Sequence, residues 1–218
     1  MNAKEYVNLA VRTNDISAAT NAVRAARFAE NFPTQLWHAG LVITEIAELF
    51  EFIDKSRAGG GIDEVNLLEE VGDVLWYLAV ADAALHQNGK VLVYNRASKP
   101  KRIIDKAQLL GSIESHLKEM VVLSGRFIDL YSKKYILYGK PYDPENLLGL
   151  LHGINQHAGD ILAESGFDIG QARMANINKL KKRYPDGFTE DKAMKRDVAT
   201  ELSEVAVVGH LGGNQSKR

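Results

Sequence analysis

The sequence predicts an all-α protein, an antiparallel helix bundle. Apolar residues recur at helical spacing through most of a proline-free stretch from 34 to 99. The breaks fall at glycine and proline clusters, and no convincing run of alternating apolar and polar residues marks a sheet. Helices are expected over 3–11, 15–30, 34–55, 66–87, 101–135, 145–165 and 168–183. Asp15 and Asn66 are the expected N-caps of two of them, and Glu69, three positions after Asn66, completes a capping-box pattern. Ala58-Gly59-Gly60-Gly61 breaks the chain between the third and fourth helices, and Gly139-Lys140-Pro141-Tyr142-Asp143-Pro144 breaks it again between the fifth and sixth. Lys90 to Tyr94 (KVLVY) has the character of a short extended piece. Residues 1–208 read as a single domain, and the polar, glycine-containing stretch 209–218 reads as a flexible tail.

Composition narrows the function. A chain of 218 residues that is 45% hydrophobic has ample material for one core. A charged fraction of 25% with a net charge of −1 provides no field for nucleic acid or a membrane surface. The absence of cysteine excludes disulfides, thiolate zinc sites and a cysteine nucleophile, and fits a cytoplasmic protein. MNAKEYVNLAVRTND lacks the apolar run of a secretory signal. The longest apolar stretch, VLWYLAVADAAL, is interrupted by Asp82 and is too short to span a bilayer. The glycines at 59–61 lack the lysine of a phosphate-binding loop and read as a hinge.

Four acids stand out against this background. Glu45 and Glu48 lie in Glu-Ile-Ala-Glu, and Glu70 and Asp73 in Glu-Val-Gly-Asp, both within strongly apolar helical sequence. Residues three apart share a helix face, so each pair projects together. On the helix over 66–87, Leu67, Val71, Val74, Leu75 and Leu78 form the apolar stripe, with Glu70, Asp73 and Tyr77 along its flank. On the preceding helix, Ile43, Ile46, Phe50 and Ile53 form the main stripe, and Leu41 and Phe52 share the other side with the acids. Either pair alone is ordinarily a solvated face. Two pairs on adjacent apolar helices would repel one another and raise each other's pKa unless a cation compensated them. Four oxygen donors suit a hard divalent cation.

A faint internal repeat accompanies them. Phe52-Ile53-Asp54 recurs as Phe127-Ile128-Asp129, and Asn66-Leu67-Leu68 as Asn146-Leu147-Leu148. Superposing the halves places Met120 and Leu123 at the positions of Glu45 and Glu48, and Leu150 and Gly153 at those of Glu70 and Asp73. Residues 101–165 would then be a second helix pair that lacks the ligands carried by 34–87.

EIAE followed by NLLEEVGDVLWYLA resembles the Glu-x-x-Glu, Glu-x-x-Asp pattern of the MazG-like all-α nucleoside triphosphate pyrophosphohydrolases, a superfamily that includes dimeric dUTPases. A second block, NINKLKKRYPDGF over 176–188 with Arg196-Asp197, is similar to that family's C-terminal signature, within a segment taken as 168–197. The two blocks cover about a third of the chain. The resemblance implies a four-helix core, a homodimer or higher homo-oligomer, and Mg²⁺ (with Mn²⁺ as a possible substitute) held by Glu45, Glu48, Glu70 and Asp73. It implies attack of a water on the α-phosphorus of a nucleoside triphosphate, releasing a monophosphate and pyrophosphate. Glu48 and Glu51 are the candidates to orient that water, and the sequence does not choose between them. Lys179 and Arg183, one turn apart, suit the departing pyrophosphate, and Asn176 a phosphate or sugar oxygen. Trp37 is either a stacking platform for the base or a core aromatic. His38 lies two turns before Glu45, and Tyr77 is a candidate pocket wall. His152 and His157 are poorly spaced to share a metal on one helix and receive no role. A dUTPase or dCTPase with tighter base choice is the alternative within this chemistry, and an idle helical interaction module the alternative outside it.

Overall fold

The computed structural model describes residues 40–59, 61–85, 89–93, 101–138, 140–141, 143–184 and 198–213. The helices expected over 3–11 and 15–30, the Asp15 cap, Trp37, His38, Pro185 to Phe188 and Arg196-Asp197 lie outside them. Every regular element among the described residues is helical. The elements are α1 (Val42–Arg57), α2 (Glu64–Ala84), a 3₁₀ turn (Lys90–Leu92), α3 (Lys106–Ile128) continued by a π-helical stretch (Asp129–Leu137), α4 (Pro144–Ser165), α5 (Ile169–Arg183) and α6 (Val198–Gly213).

Apolar spacing explains how they pack. The α2 stripe is as the sequence predicts: Leu67, Val71, Val74, Leu75 and Leu78 are all buried. On α1 the stripe is rotated from the expected one. Val42, Ile46, Leu49 and Ile53 are buried together with Phe52, while Ile43 and Phe50 are only half-buried. Helices α1 and α2 pack together, as do α3 and α4; α1 also meets α3, and α2 meets α4. Burial of Leu109, Ile113, Leu117, Met120 and Phe127 on α3 against Leu147, Leu151, Ile154 and Ile161 on α4 completes one continuous core. Arg57 at the end of α1 reaches Glu114 on α3 at 2.5 Å. Helices α5 and α6 pack on each other and both lie on α2.

The caps correct two expectations. The N-cap of α2 is Asp63, not Asn66: its carboxylate accepts from the Asn66 backbone N–H at 3.0 Å. Asn66 is thereby inside the first turn, and its side chain is released for another partner. The KVLVY segment is not extended at its start, because the buried Asp82 carboxylate accepts from the N–H groups of Gly89 (2.6 Å) and Val91 (2.8 Å) and curls Lys90–Leu92 into a 3₁₀ turn. Asp82 therefore interrupts its apolar run as the anchor of that turn, with its charge met by backbone donors. Asp143 caps α4 with Pro144 in the first turn, as the proline-rich break suggests. Gly166 ends α4 at φ 90°, a conformation that a side chain would strain.

Two boundaries move further. The helix expected from 101 begins at Lys106, capped by Asp105, and from Asp129 it widens into π geometry. Helix α6 is not among the expected helices and runs to Gly213, into the stretch expected to be a tail.

Candidate functional site

Helix α2 supplies most of the site. Glu70 and Asp73, three apart, face α1 and α5, and Glu69 lies one turn before Asp73. Glu45 approaches from α1. Glu45, Glu70 and Asp73 each offer one carboxylate oxygen, and these oxygens lie within 4.8 Å of one another. Glu48 is exposed and not part of that trio, yet it lines the same cavity and adds its charge to both Glu45 and Glu70. Glu51 is exposed, pairs with Lys55 at 3.6 Å and stands outside the cavity lining.

Close approach of α5 to α2 sets the other side. A Cβ on Gly72 would sit 3.1 Å from the Asn176 Cβ and 3.2 Å from the Ala172 carbonyl, so glycine there lets the helix backbones meet. Asn176 and Lys179, one turn apart, then converge on Asp73. The Asn176 amide donates to Oδ1 at 2.5 Å, and the Lys179 ammonium lies 2.7 Å from Oδ1 and 2.5 Å from Oδ2. Lys179 also donates to Glu69 at 3.2 Å and is almost completely enclosed, at 1% exposure. Arg183, one turn further on, forms a two-pronged pair with Glu201 of α6, its Nε lying 2.7 Å from Oε1. Both cations that the sequence offers to a phosphate are thus paired with acids. Glu201 lies on α6, a helix outside the expected set, and Glu69, expected as part of the α2 cap, pairs with Lys179. The run Leu202, Val205, Val208 was the signal that could have revealed α6.

The cavity beside these residues has a volume of about 800 Å³. Glu45, Glu48 and Lys55 line it from α1, with Asn66, Glu69, Glu70, Asp73, Trp76 and Tyr77 from α2. Leu180, Arg183 and Tyr184 close it from the end of α5, and Leu202 from α6. Trp76 and Tyr77 meet edge to face at 5.0 Å. The space is of the order that small-molecule ligands occupy, roughly 300–1,000 Å³.

Electrostatics mark the acids as undercompensated. Burial pushes Glu70 up to about 8, reinforced by the charges of Glu48, Glu69 and Asp73 and opposed by Lys179. The Asn66 amide donates to its Oε1 at 2.8 Å. Burial likewise pushes Glu45 up to about 7, with the Thr44 hydroxyl opposing and Asp73 and Glu48 reinforcing. Tyr77 is raised by burial and by Glu45, Asp73 and Glu48, which places its hydroxyl in the same negative field. An all-oxygen donor set with surplus negative charge suits a hard divalent cation.

This has a consequence for stability. In the unfolded chain these glutamates titrate near 4.5, whereas folded Glu45 and Glu70 hold their protons to about 7 and about 8. Between those limits the folded state binds more protons than the unfolded one, so stability falls as pH rises from about 5 to about 8. Melting temperature in EDTA is expected to drop across that window. Millimolar divalent cation should flatten the slope, with the largest stabilisation near pH 8. A slope that is flat without metal would contradict the packing of these acids.

No protein-family model matches this sequence, and no curated protein or solved structure is detectably similar to it. Among the described residues no helix is long and apolar enough to cross a membrane.

Proposed function

We propose that the chain is a Mg²⁺-dependent nucleoside triphosphate pyrophosphohydrolase of MazG-like type, converting a (d)NTP and water to a (d)NMP and pyrophosphate. The observation that carries this is the meeting of Glu45, Glu70 and Asp73 beside a nucleotide-sized cavity. The Glu-x-x-Glu, Glu-x-x-Asp pattern that supplies those residues adds the expected chemistry. When bound, Mg²⁺ (or Mn²⁺ in its place) supplies charge neutralisation for the phosphates and a more acidic water.

The chain's own residues do the rest. Glu45, Glu70 and Asp73 hold the cation, and Lys179 with Asn176 fixes the orientation of the Asp73 carboxylate. Glu48 faces the cavity one turn from Glu45 and is assigned to orient the attacking water and take its proton. Glu51 stands outside the cavity lining and is paired with Lys55, which disfavours it for that role. Lys55 lines the cavity, and its pair with Glu51 is long (3.6 Å) and exposed, so it is the cation assigned to meet the phosphate chain, while Trp76 and Tyr77 flank the base or sugar. Lys179 and Arg183 act chiefly as counter-charges to the acids that hold them. The test is pyrophosphate release from a panel of nucleoside triphosphates with and without Mg²⁺. Broad, metal-dependent release is expected. Turnover confined to dUTP or dCTP would select the narrower enzyme, and no turnover of any nucleotide would select the idle interaction module.

We further read α3–α4 as a degenerate copy of α1–α2. Asp63 and Asp143 cap the second helix of each pair by accepting from Asn66 and Asn146 at equivalent positions. Phe52 and Phe127 are both fully buried. At the positions matching Glu48 and Asp73, a Cβ on Gly153 would come within 2.9 Å of the Leu123 side chain, so an apolar contact fills the place of the acids. With both pairs on one chain, the site needs no residue from a second copy, whichever oligomer forms in the cytoplasm. Met120→Ala should cost about 2–4 kcal/mol of stability and leave Mg²⁺ affinity unchanged. Calorimetric titration of the folded variant checks this, and a matching loss of Mg²⁺ binding would refute the reading.

A further inference from the structure

We propose a second metal site, of the class that takes Zn²⁺, built by His116 of α3 with His157 and Asp160 of α4. It shares no residue with the acid cluster, and the proposal does not depend on the activity assigned there.

The helices bring the ligands together. His157 and Asp160 are three apart on α4 and project on one face, and His116 reaches them from α3. One ligand atom from each lies within 4.8 Å of the other two. The Nδ1 atoms of His116 and His157 face each other at 2.9 Å. At most one proton fits between them, so one ring presents a lone pair to the other. A cation in place of that proton receives a lone pair from both rings. Zn–N bonds of about 2.0–2.1 Å in tetrahedral geometry require the two nitrogens to part by about half an ångström, within the reach of side-chain torsions.

The surroundings supply what a metal-bound imidazole needs behind it. The other ring nitrogen of His116, Nε2, lies 3.5 Å from Glu164 Oε2, which in turn accepts from the Ser112 hydroxyl at 2.7 Å. A carboxylate behind a ligating histidine fixes the ring and strengthens it as a donor. Asp160 is 7% exposed, and one of its carboxylate oxygens lies within 4.8 Å of a ring nitrogen of each histidine. Two imidazoles and a carboxylate favour Zn²⁺ over Mg²⁺ or Ca²⁺, which prefer all-oxygen shells. The helix pair that lacks the acid cluster thus carries a softer site of its own, clasping α3 to α4.

Cobalt substitution reads the site directly. The metal-free full chain is titrated with Co²⁺, followed by visible ligand-field bands, and then with Zn²⁺. One Co²⁺ is expected to give tetrahedral-type bands that Zn²⁺ displaces and excess Mg²⁺ does not. His157→Asn should weaken Zn²⁺ at least about 100-fold, and Glu164→Gln about 10–100-fold. Glu70→Gln should leave it unchanged. Unaltered Zn²⁺ affinity in His157→Asn, or its loss in Glu70→Gln, overturns the proposal. If His157→Asn does not fold, X-ray absorption of the zinc-loaded wild type decides. Imidazole scattering from two histidines supports the site, and an all-oxygen shell refutes it.

Discussion

Glu70→Gln is expected to stabilise the metal-free protein at pH 8.5 while abolishing both the response to divalent cations and the nucleotide hydrolysis proposed above. Glu70 is 8% exposed, and its pKa stands at about 8 because burial and the charges of Glu48, Glu69 and Asp73 outweigh Lys179. Holding it ionised at pH 8.5 costs the folded state about 2–4 kcal/mol, and glutamine removes that cost. The amide oxygen still accepts from Asn66, so the first turn of α2 keeps its internal bond. At pH 5 wild-type Glu70 is already protonated, and the two proteins should melt together. The variant replaces one of the three carboxylates whose oxygens meet within 4.8 Å by a neutral amide, so Mg²⁺ should no longer raise its melting temperature. Pyrophosphate release should fall at least about a hundredfold. Melts in EDTA and in Mg²⁺ at both pH values, with a single-substrate pyrophosphate assay, test all four statements. A variant less stable than wild type at pH 8.5 would mean that the acids do not repel one another.

The candidate site was legible in the sequence as far as helical geometry reaches. Spacing by three puts Glu70 beside Asp73 on one face, and the apolar stripe of α2 fixes which face that is. Once α1 packs against α2, the approach of Glu45 follows. What pairing cannot be read from spacing is the partner of each charge. Lys179 and Arg183 have the pattern of a phosphate-binding helix face, but their charges are met by Glu69, Asp73 and Glu201. Glu201 sits on a helix rich in β-branched valine and in glycine, which masks its periodicity. His116 and His157 escaped for a different reason: 41 residues separate them, and only the register of α3 on α4 makes them neighbours. The cap of α2 falls one turn before the expected Asn66, because Asp63 and Asn66 are both good N-cap residues.

Lys179→Met is expected to be the most destabilising single change at the site. Its ammonium is the one cation within hydrogen-bond reach of Asp73 among the described residues, and it also meets Glu69. The side chain is 1% exposed, those of Glu69 and Asp73 are 10% and 25% exposed, and water replaces the lost partner poorly. Removing one member of a buried pair leaves its partner charged and uncompensated, a cost of about 3–5 kcal/mol. In a domain of this size that corresponds to a melting temperature lower by roughly 10 °C. Methionine nearly preserves the volume, so the loss reports charge and hydrogen bonding instead of a cavity. Two further measurements fix the cause. Adding Asp73→Asn to Lys179→Met should restore a large part of the stability, because the stranded carboxylate is gone and the Asn176 contact can be kept. Divalent cation should also rescue the single variant more than it stabilises wild type, since the ion takes over the neutralisation of Asp73. If the double variant is as unstable as the sum of its parts, Lys179 holds α5 to α2 by packing alone, and its pairing with the acid cluster is incidental.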